Sequence, residues 1–208
     1  MIRLYHSKQA PTTHSWDIEQ KGVKMYHIAN DPRARKSAEL IAQSVLALSK
    51  SKSANKLSIA AIQRASSVSR STFYRLFDTP VDVLLWQMDQ LFAGFVRELP
   101  QQGTRKAVLF SFFQTIMEHA ELFAALEKCN RLDALAQNHR RYFKDMGSLI
   151  GIPSQLEEAG QEYLIDIMSY LLPVAISTWI HRGQKDTPEE VYHHFWQSIR
   201  TIASLDAL

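Results

Sequence analysis

Apolar positions recur at steps of three and four along most of this chain, and the breaks between runs are sharp. Ala34, Ala38, Ile41, Val45 and Leu48 mark one face of a first amphipathic helix, closed by the polar stretch Ser49 to Lys56. Two short helices follow. Ile59, Ile62 and Ala65 fall on one face of the first, Ser66-Ser67-Val68 interrupts, and Phe73 and Phe77 set the inner face of the second. Ser58 and Ser69 stand as N-caps before them, their hydroxyls able to accept a helix-terminal amide. Two helices this short, joined by about three or four residues, make a helix-turn-helix.

Thr79-Pro80-Val81-Asp82 opens a longer helix. Thr79 caps it, Pro80 takes the first helical position where no amide is needed, and Asp82 completes a capping box. From Val81 to Leu99 the apolar residues form two lines, Leu84-Met88-Leu91-Phe95 and Leu85-Phe92-Val96-Leu99, so this helix is expected to pack against two bodies at once. Pro100-Gln101-Gln102-Gly103 breaks the chain. Helical segments are predicted over 104–119, 120–128 and 132–146, with Gly147 and Gly151-Ile152-Pro153 marking the next turn. Ser154-Gln155-Leu156-Glu157 reads as a second capping box, opening a long apolar helix that ends at Gly183. Thr187-Pro188-Glu189-Glu190 opens a last helix running to Ser204. With no strand pattern and no internal repeat, the expected fold class is all-α. It comprises an N-terminal three-helix helix-turn-helix domain joined by a connector helix to a C-terminal helical bundle. The expected boundaries are a flexible extension over 1–30, the helix-turn-helix domain over 31–78 and a bundle over 79–208, with the connector at 80–98.

Composition is that of a compact soluble protein with a substantial core: 208 residues, 46% apolar and 22% charged. A single cysteine, Cys129, excludes an intrachain disulfide and fits a reducing cytoplasm. The first twenty residues lack an apolar core of a secretory signal, and Met25 would serve as an alternative start, so residues 1–24 are expected to be dispensable. The apolar run from Tyr163 to Ile180 approaches the length of a membrane span. Asp166 and Pro173 inside it favour a bundle or interface helix, and no membrane partner is expected.

Charge changes the picture most. Residues 31–78 carry nine Lys or Arg against three acids, +6, whereas the whole chain is +3, leaving −3 for everything else. A basic first third on a weakly acidic remainder is the distribution of a DNA-binding head on a separate body. The outward positions of the second short helix are Arg70, Ser71, Thr72, Tyr74 and Arg75. Each can donate a hydrogen bond and none is acidic, which suits phosphate oxygens and base edges in a major groove. Arg70 is the candidate for a bidentate contact to guanine, Arg75 suits base or phosphate, and Arg35 and Lys36 reach the backbone or adjacent minor groove from the first helix. One recognition helix makes too few contacts for operator affinity, so a homodimer with heads about 34–36 Å apart is expected.

Other chemistry is thin. Glu189 with His193 and Glu190 with His194 stand at i,i+4, but no further ligand is near in sequence, and solvated ion pairs are the simpler reading. Cys129 reads as a small buried hydrophobe rather than a redox sensor. There is no nucleophile elbow, P-loop, HExxH or dinucleotide fingerprint, so no catalytic residue, metal or cofactor is expected and the chain is not read as an enzyme.

Ser58-Ile59-x-x-Ile62, then Val68-Ser69-Arg70-Ser71-Thr72-Phe73-Tyr74 and Phe77, resemble the helix-turn-helix of the TetR family of bacterial transcription repressors over residues 33–85. Trp179-Ile180-x-x-Gly183 followed by Thr187-Pro188-Glu189-Glu190 is similar, more weakly, to the start of that family's last helix. The resemblance implies a ligand-responsive repressor that binds a palindromic double-stranded DNA operator as a homodimer and is released by a small effector. It assigns phosphate contacts to Ser58, Ser69 and Tyr74. It also implies an effector pocket walled by the fourth to eighth helices, for which Phe92, Phe112, Phe113, Met117, Phe123, Tyr142, Phe143, Met168 and Trp179 are the candidates. Their character suggests a mostly apolar or aromatic effector. The last two helices, 154–182 and 188–204, would form the dimer interface. Leu164, Ile167, Leu171, Leu172 and Ile176 are its candidates on the first, Phe195, Trp196 and Ile199 on the second. Two positions depart from the family pattern. Ser67 stands where glycine is usual, at a place often needing positive φ, and Pro80 stands where a phosphate-binding lysine is common. Two alternatives stay open: a protein of this fold that acts through a protein partner with weak DNA binding, and a helical small-molecule binder or enzyme.

Overall fold

The structure, a computed structural model, describes residues 26–28, 31–98, 104–140 and 156–205. Among these the chain is all-helical, apart from a single antiparallel bridge between Tyr26 and Phe77. Helix α1 spans Pro32–Ser49 and is followed by a 3-10 turn at Ala54–Lys56. Then come α2 (Ile59–Ser66), α3 (Arg70–Leu76), α4 (Pro80–Glu98), α5 (Arg105–Glu118) and α6 (Ala120–Glu127). Residues 133–140 are helical and are called α7; α8 (Glu158–His181) and α9 (Pro188–Leu205) complete the order.

Helix α1 buries Ala34, Ala38, Ile41, Ala42 and Val45 against α2, α3 and α4. Ile62, Phe73, Leu76 and Phe77 meet that face, each 2% exposed or less. Helix α4 then joins two sets of neighbours. Val83, Leu84, Trp86 and Met88 are buried, and further along Phe92 stacks on Phe112 of α5 (5.7 Å) and meets Phe123 of α6 (6.5 Å) edge-on. Phe113 extends the aromatic core to Phe195 of α9 (5.6 Å).

Helix starts follow their local chemistry. Thr79 and Asp82 exchange hydrogen bonds: Thr79 N donates to Asp82 Oδ2 (2.6 Å) and Asp82 N to Thr79 Oγ1 (3.3 Å). Asp82 is fully buried, and burial is the main influence raising its carboxyl above the ordinary value, opposed by the Thr79 hydrogen bonds. Thr187 and Glu190 repeat the box at α9. At the end of α8, Gly183 takes φ +81°, and the amide of Gln184 returns to the Trp179 carbonyl (3.0 Å), closing the last turn.

Several expectations are corrected. Ala65 is exposed and Ser66 is buried in its place, because α2 turns its inner face through Ile59, Ile62 and Ser66. Phe77 lies beyond α3 in extended conformation, not on the helix. Helix α8 starts at Glu158 with no side-chain cap, so the expected capping box does not open it; Ser154 and Gln155 lie outside the described residues. Pro173 does not interrupt α8, which runs through it at the loss of one backbone hydrogen bond. Tyr26–Ile28, expected within a flexible extension, pack on the core beside Phe77 and α4.

Candidate nucleic-acid interface

The α2–α3 pair is held by its serines. Ser58 Oγ accepts the amide of Ala61 (3.3 Å) and Ser69 Oγ that of Thr72 (3.2 Å), so each helix begins at a side-chain cap. Ser67 between them has φ +58°, ψ +14°, the left-handed region, while its own amide closes α2 on the Gln63 carbonyl (2.9 Å). The buried Ser66 hydroxyl accepts from Val68 N (3.1 Å), satisfying the turn. Phe73 and Leu76 anchor α3 from beneath.

Anchoring on that side turns Arg70, Ser71, Tyr74 and Arg75 to solvent, with Thr72 half-buried. The Arg70 guanidinium lies over the Tyr74 ring, 5.6 Å from its centroid, and the ring is set edge-on to Phe73 (5.6 Å). A rigid ring thus limits the freedom of the arginine before any ligand arrives. Ser69, Ser71 and Thr72 form a hydroxyl cluster: Ser69 Oγ donates to Thr72 Oγ1 (2.9 Å) and lies 3.0 Å from Ser71 Oγ.

Within that cluster Ser69 Oγ accepts the Thr72 amide and donates to Thr72 Oγ1. Ser58 Oγ accepts in its cap, and Thr72 Oγ1 accepts from Ser69. Arg35 and Lys36 are exposed near the start of α1. Of the nine basic residues in 31–78, Lys50 alone is ion-paired among the described residues, to Glu121 (2.7 Å).

The expected effector and dimer residues sort differently. Phe92, Phe112, Phe113 and Phe123 pack on one another as core, Met117 and Met168 are half-buried against it, and Tyr142 and Phe143 lie outside the described residues. One polar group sits in this interior. His139 of α7 lies edge-on to Phe112 (6.1 Å), and burial lowers its imidazole to about 4. Its Nδ1 is 2.9 Å from Ser169 Oγ, whose proton goes to the Ile165 carbonyl (2.7 Å), so Nδ1 carries the hydrogen and donates.

Leu172, Ile176 and Phe195, expected at a dimer interface, are buried within the subunit instead; α8 is apolar all round, so its pattern does not separate the inner face from the outer. Leu164 and Trp196 are half-buried. Ile167 is 56% exposed, within a stripe the sequence reading missed: Tyr163, Ile167, Tyr170 and Val174, spaced by four, three and four. Beside the stripe an open groove of about 410 Å³ runs between α8 and α9, lined by Leu171, Val174, Ala175, Trp179, Ile199 and Ile202. Trp179 closes its floor, donating from Nε1 to the Asp186 carbonyl (3.1 Å). By length and composition α8 would also suffice to cross a membrane, with 28% of its most apolar window buried. Among the described residues no three His, Cys, Asp or Glu side chains gather in a way that could hold a metal. No protein-family model matches this sequence, and no curated protein is significantly similar to it.

Proposed function

We propose that this chain is a ligand-responsive transcriptional regulator resembling the TetR repressors, with α1–α3 as its helix-turn-helix head and α3 as the recognition helix. The observation that carries the reading is the solvent face of α3. It presents Arg70, Ser71, Tyr74 and Arg75 with no acid among them, in a segment where only Lys50 of the nine cations has an ion-pair partner among the described residues. Cations left unpaired by the fold are available to phosphates, and Arg70, pre-positioned on Tyr74, suits the paired acceptors of guanine.

The stripe on α8 and the groove beside α9 are assigned to a second copy, giving the two heads that a palindromic operator requires. This uses the exposed face of α8 in water, so no membrane enters the reading, and the buried free thiol of Cys129 suits the cytoplasm. Release follows if an apolar effector binds the body better in one arrangement of α4 than in another. A second reading, a protein acting mainly through a protein partner, draws on Pro80. It occupies the first position of α4, where the resembling family places a lysine, and removes one phosphate contact per subunit.

Fluorescence anisotropy against duplexes tiled across the region upstream of the gene, at several salt concentrations, tests the proposal. One palindromic fragment should bind far more tightly than random DNA, and Arg70→Ala should weaken it about 10- to 100-fold. Weak binding that ignores sequence and is unaffected by Arg70→Ala would remove this reading in favour of the partner-binding one.

A further inference from the structure

We infer that Tyr26, Asp89 and Asn138 form a latch through which α7 sets the seating of the end of α3, which makes Tyr26 and Asp89 positioning residues for the proposed recognition helix. The functional consequence rests on the DNA-binding reading; the mechanical coupling does not.

Three distant parts of the chain meet at the Asp89 carboxylate of α4. Asn138 Nδ2 of α7 donates to Oδ1 (2.6 Å), and the Tyr26 hydroxyl donates to Oδ2. Asn138 is 3% exposed, so its amide has no ready exchange with water. From Tyr26 the connection continues through backbone. Tyr26 pairs antiparallel with Phe77, and the amide of His27 donates to the carbonyl of Leu76 (2.8 Å). Leu76 is the last residue of α3, and its carbonyl is one of those a helix end leaves without an internal partner. The segment 26–28 therefore terminates α3 as a strand would. Phe77 is fully buried between Phe73 (6.0 Å) and Trp86 (5.9 Å), and His27 Nε2 lies 3.4 Å from Asp78 Oδ1.

A carboxylate held by two donors binds each more strongly than a neutral acceptor would, and losing either leaves a partly buried charge under-satisfied. When α7 withdraws Asn138, Asp89 is left with Tyr26, and the strand that terminates α3 must readjust. The coupling is reciprocal: loosening Tyr26 must loosen α7.

Native-state hydrogen exchange on the full chain, with Tyr26→Phe, Asn138→Ala and the double variant, tests this. Tyr26→Phe keeps the ring and removes only the hydroxyl. Both single variants should speed exchange of the His27 and α3 amides about tenfold, with α9 amides unchanged as the internal reference, and the double variant should add little to either. Unchanged α3 exchange in Asn138→Ala, or full additivity, overturns the latch. If Asn138→Ala loses protection throughout, Tyr26→Phe read at the α7 amides decides: no change there overturns it equally. Anisotropy of the same proteins on the preferred duplex should show weaker binding in both single variants. Should the wild type bind no DNA while the exchange coupling holds, the latch stands and the recognition-helix reading falls.

Discussion

The ammonium of Lys128 lies 3.2 Å from the carbonyl oxygen of Ser49 and 3.0 Å from that of Lys50, so a side chain just past the end of α6 caps the last turn of α1. A cation is favoured there by the partial negative charge of the helix end. Ser53 adds a return contact, its hydroxyl donating to the Lys128 carbonyl (3.1 Å) and lying 3.3 Å from Cys129 Sγ. Lys128→Met keeps the aliphatic stem and removes the cap. Urea unfolding should show a loss of about 1 kcal/mol, and the amides and carbonyl-facing turn at 47–50 should lose protection first.

Ser67 holds a left-handed conformation that costs a residue with a Cβ about 1–2 kcal/mol, while glycine adopts it freely. Glycine also gains entropy in the unfolded chain, which returns part of the difference. Ser67→Gly should therefore raise the stability by about 0.5–1 kcal/mol, seen as a higher melting temperature. No change, or a loss, would mean that the serine hydroxyl supports the turn.

His139 gives the fold a pH dependence of definite sign. Its folded value, about 4, lies below the ordinary 6.5, so between those values the unfolded chain binds more protons and stability rises with pH. The contribution is complete above pH 6.5 and is lost on acidification towards pH 4. It amounts to about 3 kcal/mol at most if the full shift is realised. Urea titrations at pH 4.5 and 7 compare wild type with His139→Gln. The variant should lose less stability between those two values, and equal losses would contradict the buried neutral imidazole.

Ile167 and Tyr170 are 56% and 64% exposed, so a charge there has little cost in the isolated subunit. In a dimer built on this stripe, Tyr170→Glu would bury an unpaired carboxylate. Sedimentation equilibrium should show wild-type dimers, and a dissociation constant raised at least about 100-fold in the variant with an unchanged helical spectrum. A monomeric wild type would sink the assignment.

Much of the helical outline was readable because its signals are local. The capping residues at Ser58, Ser69, Thr79 and Thr187 act within three or four residues, and each makes the bond its spacing promised. The positive φ at Ser67 came instead from the family pattern, in which glycine is usual at that place. Contacts between distant residues were not legible. Nothing near Tyr26 signals that its hydroxyl meets Asp89, 63 residues on, and Lys128 finds α1 only through the packing of α6. Helix α8 failed differently: apolar on every side from Tyr163 to Ile180, it gives no stripe from which to tell Leu172 and Ile176, which are buried, from Tyr170 and Val174, which are not.

The sparse pairing of cations in residues 31–78 has a consequence for how this protein responds to its medium. Like charges without ion-pair partners among the described residues repel one another, and that repulsion opposes the compact state of the segment itself. Added electrolyte shields the repulsion and steadies the segment, yet the same shielding would weaken the hold on DNA proposed for it. Under that proposal, ionic strength pulls the integrity of this segment and its grip on a polyanion in opposite directions.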